Sequence, residues 1–82
     1  MLRILYFGRL PDLLGRASEE LALPAGVGDV RGLLAHLRRR GGAWERALAE
    51  EAVKVTVNRE FASPDTPVAD GDEVALVSVS LR

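Results

Sequence analysis

The sequence predicts an α+β fold, one mixed sheet of about four to five strands with one main helix packed on one face. Three observations carry that expectation. A dense apolar run opens the chain at Leu2 to Phe7. Val30, Leu33, Leu34 and Leu37 recur at the spacing of a single helix face. Val53, Val55 and Val57 alternate with Lys54 and Thr56, and another strand-like run follows Asp70-Gly71-Asp72 at the carboxyl end.

Length and composition bound the rest. A chain of 82 residues is expected to form a single domain spanning 1–82. Hydrophobic residues make up 48% and charged residues 28%, the balance of an ordinary globular protein. Eleven basic residues face twelve acidic ones, so no global field draws in nucleic acid or an anionic membrane. With no cysteine, disulfides, thiolate catalysis and thiolate metal sites are excluded, and a cytoplasmic setting fits. Met1-Leu2-Arg3-Ile4 runs straight into a strand pattern, so no leader is expected. No apolar run reaches the roughly 18 residues that span a bilayer.

Taken in order, Leu2 to Phe7 is a strand, and apolar residues at both parities suggest a central one. Gly8 ends it. Pro11, Asp12 and Gly15 mark a turn or loop in which Leu13 and Leu14 fold back as a lid on the sheet. Ser18 to Leu23 reads as the second strand of a hairpin, with Leu21 and Leu23 on one face, stopped by Pro24. The helix follows. Gly28 or Asp29 is its N-cap, Arg38 to Arg40 complement its dipole, and Gly41 is its left-handed C-cap. Gly32 falls on its exposed face and costs about 1 kcal/mol against alanine, so the leucine stripe has to hold the helix.

Ala43 to Glu51 suggests a short second helix or 3₁₀ segment, with Trp44 and Leu48 four apart. Val53 to Val57 is a half-buried strand and Asn58 begins a turn. Phe61 belongs to a very short strand. Two prolines exclude a regular element from Ser63 to Pro67. Val68 touches the core, and Asp70 to Val77 is the closing strand, with 78–82 a divergent tail. If the first and last strands lie side by side in parallel, this order is the ubiquitin-like β-grasp architecture, and the long connection through a helix permits it.

No self-contained active site emerges. His36, the only histidine, lies off the leucine stripe as an exposed helix residue, and one histidine without cysteine cannot make a typical structural zinc site. Asp70, Asp72 and Glu73 lack the spaced partners of a calcium loop. Arg38, Arg39 and Arg40 point about 100° apart and form no single patch. Gly26-Val27-Gly28 precedes a helix but lacks the rest of a phosphate loop. Ser18, Ser63, Ser78 and Ser80 have no evident base partner. The sequence thus assigns no catalytic residue, metal or cofactor.

Several stretches together resemble the small subunit of molybdopterin synthase, a ubiquitin-like sulfur-carrier family that also resembles the thiamine-pathway carrier. They are Ile4-Leu5-Tyr6-Phe7-Gly8-Arg9-Leu10 with Leu14-Gly15, and Leu23-Pro24-Ala25-Gly26. Val57-Asn58-Arg59-Glu60-Phe61, Asp65-Thr66-Pro67-Val68 and Asp70-Gly71-Asp72-Glu73-Val74-Ala75 complete the set. The resemblance implies a β-grasp fold and a non-catalytic carrier role in molybdenum-cofactor synthesis. In the family, an ATP-dependent adenylating enzyme activates the C-terminal carboxylate, which becomes a thiocarboxylate. The tail then enters the large catalytic subunit and gives its sulfur to precursor Z.

The family tail runs through aromatic residues and prolines to Gly-Gly, whereas this sequence reads Leu76-Val77-Ser78-Val79-Ser80-Leu81-Arg82. Side-chain-free residues let a strand end thread a narrow channel, so the departure raises an alternative: a carrier-incompetent β-grasp binding or regulatory module. By resemblance the partner-binding residues are Phe7, Phe61 and Leu76, together with the chain-end residues Val77, Leu81 and Arg82. Val77 to Leu81 continues a strand pattern and offers a route to self-association.

Overall fold

The computed structural model describes residues 1–79. Five strands form one sheet: β1 (Leu2–Phe7), β2 (Ser18–Leu21), β3 (Val53–Val57), β4 (Glu60–Ala62) and β5 (Glu73–Ser78). Their order across the sheet is β2-β1-β5-β3-β4. β1 and β5 pair in parallel at the centre, from Arg3 opposite Glu73 to Phe7 opposite Val77. The remaining pairs are antiparallel. The chain therefore has the ubiquitin-like β-grasp fold.

One face of the sheet carries the helices. Helix α2 (Val30–Arg38) buries Val30, Leu33, Leu34 and Leu37 against Leu2, Ile4 and Tyr6 of β1, Val53 and Val55 of β3, and Val74 and Leu76 of β5. Each such side chain contributes about 1.5–3 kcal/mol when fully buried. The stripe therefore outweighs the intrinsic cost of Gly32 several-fold. Gly32 is half-buried rather than exposed, and a Cβ there would lie 3.1 Å from Asp29 Oδ1. Its small size lets the Asp29 carboxylate accept the Gly32 N–H at 2.8 Å and cap the helix. The proline-bearing loop finishes the cap: the Thr66 and Pro64 carbonyls accept the Val30 and Arg31 N–H groups at 3.0 and 2.9 Å. Val68 follows into the core.

Several local expectations change. Residues Leu10–Leu14 form a one-turn helix, α1, not a loop. Pro11 fits a first helical turn, whose amide groups have no intrahelical partner, and Gly15 closes the helix at φ 80°. The helix turns Leu10 and Leu14 inward and leaves Leu13 49% exposed, so only Leu14 of the expected leucine pair covers the core. β2 stops at Leu21, ahead of Leu23. Helix α2 stops at Arg38, with Arg39 as its C-cap, so Gly41 follows the cap instead of forming it. Helix α3 (Ala43–Ala47) and a 3₁₀ turn (Glu50–Ala52) then lead into β3, with Leu48 fully buried between them. Asn58 and Arg59, at φ 51° and 72°, form the two-residue type I′ turn that joins β3 to β4. β5 runs through Ser78, one residue beyond the expected boundary with the tail. No helix among the described residues is long and apolar enough to cross a membrane.

Candidate functional site

Strand parity builds the opposite, uncovered face of the sheet. In β1 it sends Leu2, Ile4 and Tyr6 to the helix side and Arg3, Leu5 and Phe7 to the other. The apolar content at both parities thus marks a central strand with only one covered face. The registers align the outward residues in rows. Phe7, Val77 and Lys54 form one row; Leu5, Ala75, Thr56 and Phe61 form the next. Phe61 is 84% exposed and Phe7 47% exposed, on a face where Leu5, Ala75 and Val77 are half-buried. Lys54, Arg3 and Glu73 lie around this apolar strip at neighbouring register positions.

Three of the expected partner-binding residues, Phe7, Phe61 and Val77, therefore share one face. Leu76 does not. It alternates to the helix side, is fully buried, and is a core residue. Its assignment to a docking surface is corrected on that ground, because a side chain without exposed area offers a partner nothing to cover. Leu81 and Arg82 lie outside the described residues. Because β5 parallels β1, its carboxyl end emerges beside Phe7. The end of β5 is held there by the Val79 N–H donating to the Ala52 carbonyl at 2.9 Å and by the Arg9 N–H donating to Ser78 Oγ at 2.8 Å.

The helix side carries a polar brace that no local sequence pattern signals. The Glu19 carboxylate accepts from the Tyr6 hydroxyl at 2.6 Å, from Arg40 at 2.8 and 2.9 Å, and from Arg16 at 3.2 Å. Arg40 also lies 4.4 Å from the centre of the Trp44 ring, which packs edge-to-face with Tyr6 at a centroid separation of 5.7 Å. Burial pushes the Glu19 carboxyl up, but its hydrogen bonds from Arg40 and Tyr6 outweigh that and hold it below the ordinary glutamate range. Burial, reinforced by Glu19, pushes the Tyr6 hydroxyl well above its usual range. Arg40 is therefore more than a dipole complement: it ties β1 and β2 to α3. The only advance signal was an arginine run beside a tryptophan, and nothing in it pointed to a glutamate 21 residues earlier.

A cleft of about 320 Å³ opens between α2 and the β3–β4 edge, lined by Val30, Leu34, Val53, Val55, Phe61 and Pro64. Its charged residues are Lys54 and Glu50, and Arg31 already engages Glu50 at 3.2 Å. Ser63, its hydroxyl residue, has Thr66 Oγ1 as neighbour at 3.4 Å and no base. No nucleophile–base pair forms there. His36 is half-buried on the flank of α2, and among the described residues no group of three or more His, Asp or Glu side chains is placed to hold a metal.

Comparison with known proteins converges on one group. The ThiS family model matches residues 4–79. The molybdopterin synthase sulfur carrier subunit of Escherichia coli (strain K12) is 33% identical over 75 residues, 92% of this chain and 90% of that protein. Among solved structures, a Pyrococcus furiosus protein described as molybdopterin converting factor, subunit 1, superposes with a TM-score of 0.75 at 28% identity, covering 96% of this chain and 97% of that one. Small archaeal modifier protein 1 of Haloferax volcanii gives a TM-score of 0.75 at 22% identity over 96% of this chain and 97% of its own, a likeness of fold alone.

Proposed function

The chain belongs to the ThiS family, and from that premise we propose that it is the small sulfur-carrier subunit of a molybdopterin synthase, acting in the cytoplasm in molybdenum-cofactor biosynthesis. The observation that carries this reading is the 33% identity to the Escherichia coli sulfur carrier subunit across 92% of the chain. The geometry supports it. The apolar strip around Phe7, Val77 and Phe61 has the shape of a docking face, and the end of β5 is delivered beside it. A large catalytic subunit and an ATP-dependent adenylating enzyme are the partners for that face.

In this role the fold is a handle. An adenylating enzyme joins the chain's terminal carboxylate to AMP and releases pyrophosphate. A sulfur donor then displaces AMP and leaves a thiocarboxylate. The β-grasp domain supplies affinity and direction, and the partners supply the catalytic groups.

Intact-mass measurement tests the proposal. The purified chain is incubated with its cognate adenylating enzyme, ATP and a sulfur donor. The carrier reading expects exchange of one carboxylate oxygen for sulfur. Failure of the natural chain to react, together with reaction once Gly-Gly replaces Leu81-Arg82, overturns it for this chain and leaves a docking module without carrier chemistry.

A further inference from the structure

The end of β5 is fixed from both sides, and one of the two contacts comes from a side chain. Ser78 Oγ accepts the Arg9 N–H at 2.8 Å across 69 residues of sequence. Gly8 makes room for it: its φ is +68°, and a Cβ built there would lie 2.5 Å from Ser78 Oγ. The hydroxyl thus fills space that only a glycine leaves, in a backbone conformation that glycine adopts freely. Arg9 is the N-cap residue of α1 and makes no side-chain capping bond of its own. On the other side, the Val79 N–H donates to the Ala52 carbonyl at 2.9 Å. Two neighbouring residues of one strand end are therefore tied to β1–α1 and to the 3₁₀ turn ahead of β3.

We propose that Ser78 is a positioning residue: its hydroxyl, seated over Gly8, clamps the end of β5 and sets the point beside Phe7 from which the chain leaves the sheet. Its purpose rests on the carrier reading above. A chain end whose base is already ordered loses less conformational freedom when a partner engages it, so the clamp favours productive docking. The hydroxyl touches no reacting atom and acts only through the backbone it holds.

Two measurements on Ser78→Ala and Ser78→Thr decide the matter. Amide hydrogen exchange on the natural chain should accelerate about fivefold at Arg9 and Val79 in Ser78→Ala, the effect of one lost hydrogen bond. Exchange at Ile4, Leu34 and Val55 should stay unchanged, and Ser78→Thr should restore the wild-type pattern. With the natural chain as substrate, Ser78→Ala should raise the KM of the adenylating enzyme about fivefold with kcat unchanged, and threonine should again restore it. Unchanged exchange at Arg9, loss of protection throughout the sheet, or a KM indifferent to position 78 overturns the proposal. If the natural chain is not adenylated at all, the carrier reading falls, and the exchange pattern alone decides whether the clamp exists.

Discussion

Replacing Phe61 with alanine separates docking from folding. Phe61 is 84% exposed at the β3–β4 edge, opposite Thr56, so its ring does little for the free chain. Losing that cross-strand pair should cost less than about 1 kcal/mol of stability. The same ring has nearly all of its area still to bury. Full burial of such a side chain is worth about 1.5–3 kcal/mol, and most of that remains available to a partner. At about 1.4 kcal/mol per decade, Phe61→Ala should weaken binding to the large subunit of molybdopterin synthase roughly ten- to fiftyfold. Leu76→Ala is the contrasting control. Leu76 is fully buried, and its truncation should cost about 2–5 kcal/mol of stability. Urea unfolding gives the stabilities, and calorimetric titration at a temperature where both variants are folded gives the affinities. The reasoning is refuted if Phe61→Ala binds like the wild type, or if it destabilises the chain as much as Leu76→Ala does.

Other perturbations probe the brace and the turn. Glu19→Gln should destabilise the chain by about 1–2 kcal/mol at neutral pH, because Arg40 loses its ionic partner. The folded pKa of Glu19 lies below the ordinary value of 4.5. Its contribution is therefore complete above that value and is lost as pH falls through the lowered folded pKa. The difference between wild type and Glu19→Gln should accordingly shrink in acid, as read by urea unfolding across pH. Arg59→Gly should stabilise the chain by up to about 1 kcal/mol, since glycine adopts positive φ without steric cost. A lowered urea midpoint for that variant would show that the 3.9 Å contact of Arg59 with Glu73 matters more than backbone strain.

What the sequence made legible follows from range. The Val30–Leu37 stripe, the alternation at Val53–Val57 and the turn chemistry around Asn58 and Gly71 are local signals, and each became the expected element. The parallel pairing of β1 with β5 joins the two ends of the chain. It could be anticipated only from element order and from the family resemblance. Leu76 was misplaced for a reason specific to β5. Val74, Ala75, Leu76 and Val77 are all apolar, so the strand carries no inward–outward signal until its neighbours set the parity. α1 was hidden because Pro11 and Gly15 serve equally as turn residues and as helix start and stop. Glu19 with Arg40, and Ser78 with Arg9, were invisible because each is a single polar contact between segments distant in sequence.

Whether this chain carries sulfur to a large subunit is decided by one transfer measurement. The chain is prepared as its C-terminal thiocarboxylate by sulfide cleavage of an intein fusion. It is then mixed with the large subunit of molybdopterin synthase and precursor Z, and its intact mass is followed in a single turnover. The thiocarboxylate should revert to carboxylate in step with sulfur incorporation into precursor Z. Sulfur that stays on the chain while the two subunits are bound would contradict it.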